Sequence, residues 1–142
     1  MATETQRKNW YSVDGAPNRT AHGELTELTR EVIGGAIDVH KALGPGFTER
    51  MYAKALQHEL EERNISFVTE QPIRVTYKSR LLGIHRLDLV VKEAVVVELK
   101  AVYEINNFHI AQTLSYLKAS GKRLGLILNF ARGTLEIKRV VL

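Results

Sequence analysis

The chain has 142 residues, of which 44% are hydrophobic and 25% charged, and these values are those of one globular domain rather than a fibrous or largely disordered chain. It has no cysteine, which excludes thiolate zinc sites, a cysteine nucleophile and disulfides, and which favours a cytoplasmic setting. Its net charge of +4 permits a phosphate-bearing partner, and no stretch is apolar enough for a membrane span.

A polar segment comes first along the chain, and a helix follows it. Residues 1–23 are mostly polar, with Trp10 and Tyr11 as large apolar anchors, so we predict a tail or a loosely docked arm. From Glu24 to Leu43, apolar residues recur at spacings of three and four, which predicts an amphipathic helix that ends at the Gly44–Gly46 segment. We expect residues 24–142 to form a single domain.

A second helix is predicted directly after this glycine-containing segment. Thr48 is suited to be its N-cap, and the helix is expected to continue to about Arg63. Phe47 and Tyr52 are spaced to pack against each other as a hydrophobic staple. Glu49 stands in the first turn, where an acid is favoured by the helix dipole whatever its other role.

The predicted strands begin where the hydrophobic period changes from helical spacing to two. A first strand covers residues 65–77, in which Pro72 indicates a break or a sheet edge. Two further strands, residues 82–91 and 94–101, are separated by a tight connection and are therefore predicted to form an antiparallel hairpin.

The last elements complete an α/β pattern. A third helix is predicted over residues 107–120, with Gly121 as its stop, and two strands follow at residues 124–130 and 134–140. This order predicts an α/β fold in which a mixed central sheet is flanked by helices.

Three charged residues interrupt the otherwise apolar hairpin. Alternation places Asp88 on one face of its strand and Leu87, Leu89 and Val91 on the other. A three-residue loop at 92–94 sets Asp88 opposite Glu98, whereas a slip of one residue would send these two side chains to opposite faces. Lys100 shares the face of Glu98.

Two carboxylates that face each other repel unless a cation lies between them. Oxygen ligands favour a hard cation, so Mg²⁺, with Mn²⁺ as a substitute, is the expected occupant. A lysine beside such a cation suits phosphodiester hydrolysis, because it can orient the attacking water. The alternative is a solvated cluster in which Asp88, Glu98 and Lys100 form cross-strand charge pairs.

These residues together resemble the D…(D/E)-X-K core of the PD-(D/E)XK nuclease superfamily, whose restriction-endonuclease-like fold is then expected. Asp88 and the segment from Glu98 to Lys100 supply that core, and Glu49 matches the acid that a preceding helix often adds. Gln112 and Tyr116, four residues apart on one helix face, resemble the Q-x-x-x-Y motif of the RecB-like branch. Leu87 stands where the superfamily's namesake proline is expected.

A closer resemblance is carried by residues 46–52, whose sequence GFTERMY fits the signature G-x-x-E-x-x-Y of the GxxExxY family within this superfamily. The resemblance covers residues 24–140, because several motifs follow one another at matching intervals. It implies that Asp88, Glu98, the Leu99 carbonyl and Glu49 hold the metal ion and that Lys100 lies at the attacking water.

The same resemblance implies a group of residues that line the cleft or contact nucleic acid: Gln112, Tyr116, Tyr52, His109 and Arg86. For Tyr52 the alternative is the staple and the core, and for His109 an ordinary surface position. His85, beside Arg86, could touch a phosphate but is treated as an ordinary histidine. The sequence has no aromatic ladder that would predict stacking on single strands.

The function expected from this pattern is hydrolysis of nucleic-acid phosphodiesters by a Mg²⁺-dependent nuclease of this superfamily, with DNA as the expected substrate. The alternative is a non-cleaving nucleic-acid-binding or protein-interaction module that retains the nuclease fold. No membrane partner is expected, and a homodimer or a complex with a larger partner is compatible with so small a domain.

Overall fold

The computed structural model describes residues 19–142, with side chains from Leu25 onward, so residues 1–18 of the predicted tail lie outside the described part. Three helices and five strands occupy that range: α1 Arg19–Leu43, α2 Glu49–Glu62, β1 Phe67–Tyr77, β2 Arg80–Val91, β3 Val95–Lys100, α3 Asn107–Ser120, β4 Leu124–Asn129 and β5 Glu136–Val141. None of the described helices is long and apolar enough to cross a membrane.

The strands form one mixed sheet in the order β1-β2-β3-β4-β5. Only β3 and β4 are parallel, and α3 is the crossover between them. Buried residues of α1 and α2 pack with Leu89, Leu99 and Leu126 on one face of the sheet, which we call the α1–α2 face. Leu117 of α3 packs with Val96 and Ile127 on the opposite α3 face. The predicted α/β fold with a mixed sheet between helices is therefore confirmed.

The helix ends follow the predicted chemistry closely. Thr48 caps α2, because its hydroxyl accepts a hydrogen bond from the Met51 N–H at 3.4 Å, and the ring of Phe47 lies edge-on to Tyr52 with a centroid separation of 6.1 Å. The α3 helix has the predicted bounds and ends at Gly121, whose φ of 71° suits glycine. The α1 helix begins at Arg19 rather than Glu24, so residues 19–23 of the predicted tail are helical.

The β2–β3 hairpin has the predicted register, in which Leu89 pairs with Val97 and Val91 with Val95. The same register extended by one residue would pair Asp88 with Glu98. Asp88, however, is paired in neither of the two ladders that the described β2 strand makes, and its would-be partner on β1, Glu70, has a φ of 50°. Regular strand pairing is thus interrupted at Asp88.

This interruption corrects one expectation about the faces of β2. Strict alternation predicts Leu87 on the same face as Leu89, but Leu87 packs with Ile73 on the α3 face while Leu89 packs on the α1–α2 face. The strand therefore changes its facing at Asp88, as strands do at a bulge or similar irregularity.

The loop between β3 and α3 is fixed by two polar side chains of the neighbouring strands. Asn129 accepts a hydrogen bond from the Val102 N–H at 3.0 Å and donates to the Val102 carbonyl at 2.9 Å. Glu136 accepts from the Ile105 N–H at 2.8 Å and from the Asn129 amide at 3.0 Å. These bonds define where α3 begins relative to the end of β3.

The α3 helix also lies very close to β4 at Gly125. A Cβ atom at this position would come within 3.0 Å of the Thr113 methyl and 3.6 Å of Leu117 Cδ2. Thr113 is buried, and its hydroxyl donates to the His109 carbonyl at 3.0 Å, so its methyl has little room to move. Glycine at 125 therefore sets the distance between helix and sheet.

We expect Gly125→Ala to destabilise the protein by about 1–3 kcal/mol, since the added methyl must push α3 away from the sheet. Gly83→Ala is the matched control, because a Cβ there meets no atom within 4 Å. Urea unfolding of both variants measures the difference. Equal stability of the two variants would contradict the close approach.

Candidate active site

Asp88 and Glu98 are held by the backbone of each other's strands where the ladder is interrupted. The Leu99 N–H donates a hydrogen bond to Asp88 Oδ2 at 2.9 Å, and the Asp88 N–H donates to Glu98 Oε1 at 3.4 Å. Each carboxylate thus accepts a hydrogen bond from a backbone amide at the point where the two strands would otherwise pair. The two acids that the sequence predicts to face each other are brought together.

Glu98 is buried to an unusual degree for an acid, with only 5% of its surface exposed. Burial, followed by the neighbouring charge of Asp88, raises the pKa of Glu98 to about 8. The Asp88 N–H and the positive charge of Lys100 act in the opposite direction without cancelling the rise. The ionised form of Glu98 is therefore stable only if further positive charge lies nearby; otherwise the carboxyl group keeps its proton.

The α3 helix contributes two side chains, Gln112 and Tyr116, to this cluster. Lys100 Nζ donates a hydrogen bond to Gln112 Oε1 at 3.3 Å, which ties the end of β3 to the helix. Burial, and then the charges of Glu98 and Asp88, raise the pKa of the Tyr116 hydroxyl. Tyr116 therefore remains protonated beside the two acids and is able to donate a hydrogen bond.

His85 is a member of this cluster that the sequence analysis treated as an ordinary histidine. Its ring stacks on Tyr116 with a centroid separation of 3.8 Å, and its Nε2 atom is buried without a hydrogen-bond partner. Burial lowers the pKa of His85, with Asp88 opposing and Lys100 reinforcing the change. Its position three residues before Asp88 gave no signal, because regular alternation would place His85 on the opposite face.

A cleft of about 750 Å³ opens on the other side of Asp88, between α2 and the sheet. Asp88 and Leu99 line it together with Glu49, and the lining also includes Arg50 and Lys54 of α2. Glu49 Oε1 accepts a hydrogen bond from the Ala101 N–H at 3.3 Å. Glu49 therefore shares the cleft with Asp88, while its contact is with the backbone just beyond Lys100.

Three residues predicted for the cleft lie elsewhere or carry other contacts. Tyr52 is fully buried, stacks on Phe130 and bonds through its hydroxyl to the backbone of Gly44 and Phe47, so its prediction as a cleft residue is wrong and the core alternative holds. His109 Nδ1 accepts from the Asn106 N–H and so caps α3. Arg86 is exposed on β2.

The donor set at this site fits a hard cation that keeps several water molecules. Asp88 and Glu98 supply carboxylate oxygens beside an open cleft, and a magnesium ion is often held by only one or two carboxylates. Within residues 25–142, whose side chains are described, no three acidic or histidine side chains gather closely enough to form a metal-binding cluster. Glu49 is therefore not a third direct neighbour of the pair.

Without a divalent cation, we expect the melting temperature to fall as pH rises from about 5 to about 8. The folded protein holds the Glu98 proton up to a pKa of about 8, against an ordinary value of 4.5, so over this range the unfolded chain releases the proton and gains stability while the folded protein does not. Each pKa unit corresponds to about 1.4 kcal/mol.

Glu98→Gln should remove much of this pH dependence, because the amide cannot ionise. Glu93→Gln, at the exposed hairpin turn, is the control and should melt with the pH profile of the unmodified protein. Thermal melts in a chelator measure all three proteins. If Glu98→Gln kept the pH profile of the unmodified protein, the ionisation of Glu98 would not be the cause of the pH dependence.

The family comparison agrees with this geometry. A model of the PD-(D/E)XK nuclease superfamily matches residues 26–140, a range that contains the whole carboxylate and lysine cluster. Searches of curated proteins and of solved structures find no significant match. Because the match spans most of the chain, this protein belongs to the PD-(D/E)XK nuclease superfamily.

Proposed function

We propose that this protein is a divalent-metal-dependent nuclease that hydrolyses nucleic-acid phosphodiester bonds. The observation that carries the proposal is that Asp88, which lines a cleft, is held by backbone amides beside the buried Glu98 and within the influence of the Lys100 charge. Such a pair is costly for the fold unless it serves a cation, and membership in a nuclease superfamily supplies the class of reaction.

In this proposal Asp88 and Glu98 hold Mg²⁺, or Mn²⁺ in its place, together with the carbonyl of Leu99. Glu49, which lines the same cleft, would contact such an ion through water. The chemistry that such a cation supplies is charge stabilisation at a phosphoryl oxygen and a lower pKa for bound water.

Lys100 is proposed to orient the attacking water. Its ammonium group is held by Gln112 Oε1 at 3.3 Å, which limits the directions in which its remaining protons can point. Tyr116 and His85 form a stacked pair beside the acids, and the protonated hydroxyl of Tyr116 is available to a phosphate oxygen. Gln112 and Tyr116 thus act in positioning and binding.

The substrate is proposed to approach along the cleft beside α2. Arg50 and Lys54 are exposed there and supply positive charge for a phosphate backbone. We take DNA as the expected substrate, and the absence of cysteine supports a cytoplasmic setting. A homodimer is compatible with this arrangement.

A finer family assignment is also part of the proposal. Residues 46–52 fit the G-x-x-E-x-x-Y signature, and Gln112 with Tyr116 fits the Q-x-x-x-Y motif of the RecB-like branch. Support for the first comes from Tyr52, which fixes the Gly44–Phe47 turn before Glu49, and for the second from the bond between Gln112 and Lys100.

We expect the protein to cleave labelled DNA or RNA in the presence of Mg²⁺ or Mn²⁺. Lys100→Ala and Glu98→Gln should each lower the rate by about 10²–10³-fold, a typical loss when one group that stabilises developing charge is removed. A pool of single- and double-stranded substrates identifies the substrate class by gel analysis.

Lys92→Ala and Glu93→Gln, both at the exposed turn between β2 and β3, are the matched controls and should cleave at the unmodified rate. Cleavage that survives in Lys100→Ala but is lost in Glu98→Gln would contradict the role proposed for Lys100. Cleavage that survives in both variants would reveal a contaminating nuclease. No cleavage by any protein under any condition would favour the non-cleaving module instead.

Binding of the cation is expected to raise the melting temperature independently of cleavage. A ligand at about 100 times its Kd stabilises the folded state by about 2.7 kcal/mol. Mg²⁺ should therefore stabilise the unmodified protein relative to chelator, and should have much less effect on Asp88→Asn or Glu98→Gln. Equal stabilisation of all three proteins would place the cation elsewhere.

A further inference from the structure

The two most exposed large apolar side chains in the described part of the chain belong to the segment that follows the candidate catalytic lysine. Tyr103 is 90% exposed and Phe108 is 69% exposed. Both belong to the segment that leads from the end of β3 into α3, directly after Lys100. Neither ring contributes to the two buried clusters that stabilise the sheet. Their exposure therefore has no explanation in the packing of the described residues.

Both residues lie in the chain between Lys100, the proposed catalytic group, and Gln112, to which it is bonded. Phe108 lies one helical turn before Gln112, so the two share one side of α3, and Gln112 in turn bonds to Lys100. Tyr103 is three residues beyond Lys100. Both aromatic residues thus belong to the segment that connects Lys100 with Gln112.

The loop that carries Tyr103 is held on both sides of the ring. Val102 is bonded to Asn129 through both its N–H and its carbonyl, and the Ile105 N–H is bonded to Glu136, while Ile105 itself is buried. The backbone of an anchored loop is already ordered before any ligand arrives, so less backbone conformational entropy is lost when its side chain makes a contact.

From these observations we infer that Tyr103 and Phe108 form a stacking platform for unpaired nucleobases next to the active site. This inference rests on the proposed nuclease function and deepens it. A base that is already paired and stacked in a duplex has no free face to offer, whereas every unpaired base does. The preferred substrate is therefore single-stranded nucleic acid, or the frayed or flipped part of a duplex.

The test compares binding rather than cleavage, in a Lys100→Met background so that the probe remains intact. Fluorescence anisotropy measures the Kd for a labelled single-stranded DNA of mixed sequence and for its duplex. Tyr103→Leu and Phe108→Leu should each weaken single-strand binding by about 5-fold to 100-fold, the range that base stacking on one aromatic ring represents. Duplex binding should change much less.

Three further variants separate stacking from other causes. Tyr103→Phe and Phe108→Tyr keep the rings and should keep the affinity for single strands. Tyr77→Leu removes a comparably exposed ring, 63% exposed, at the far end of the β1–β2 hairpin, and should have no effect. A strand that carries 2-aminopurine adds a direct signal, because its fluorescence is quenched when the base stacks.

The platform and the nuclease proposal fail separately in this design. If the leucine variants bind single strands as tightly as the parent, or lose affinity equally for duplex, the platform is wrong even where the unmodified protein cleaves. If the unmodified protein cleaves nothing and the ring-dependent binding is still observed, the platform stands and the nuclease proposal falls.

Discussion

The carboxylates of half-buried Asp88 and buried Glu98, each held by a backbone amide of the other's strand, are the constraint on which the rest of the site depends. Burial of Glu98, and then the neighbouring charge of Asp88, disfavour the ionised form of Glu98, and its raised pKa expresses that cost. The sheet keeps the two acids together in two ways. The β2 and β3 strands are paired on one side of Asp88, and at Asp88 itself the Leu99 and Asp88 N–H groups bond to the two carboxylates. The backbone thus holds the two acidic side chains close together although their charges repel each other.

The other elements can be understood as a frame around this pair. The parallel pairing of β3 and β4 requires a crossover, and α3 provides it while presenting Gln112 to Lys100. Asn129 and Glu136 fix the beginning of that crossover, and Gly125 allows the helix to approach the sheet closely. Small residues and buried amides distant from the cleft therefore determine how well the lysine is aligned.

The sequence predicted most of this frame because its signals are local. The register of the β2–β3 hairpin followed from the length of its turn, and the ends of α2 and α3 followed from Thr48 and Gly121. The change of face at Asp88 was not predictable, because it arises where β2 is paired with neither neighbour, and alternation assumes a regular strand. His85 was missed for the same reason. Tyr52 was placed in the cleft by motif alone, whereas its burial depends on Phe130, distant in sequence.

The interrupted pairing of β2 divides this strand into two parts that are supported differently. Residues 80–87 of β2 pair only with β1, so that they form a two-stranded ribbon that extends beyond the central strands, whereas Glu98 belongs to a strand bonded to β4 along its whole length. Asp88 lies where the ribbon meets the sheet, and the ribbon rests on α3 through the stacked rings of His85 and Tyr116. The position of Asp88 relative to Glu98 therefore depends on the ribbon and on its contact with α3, as well as on the pairing of the central strands.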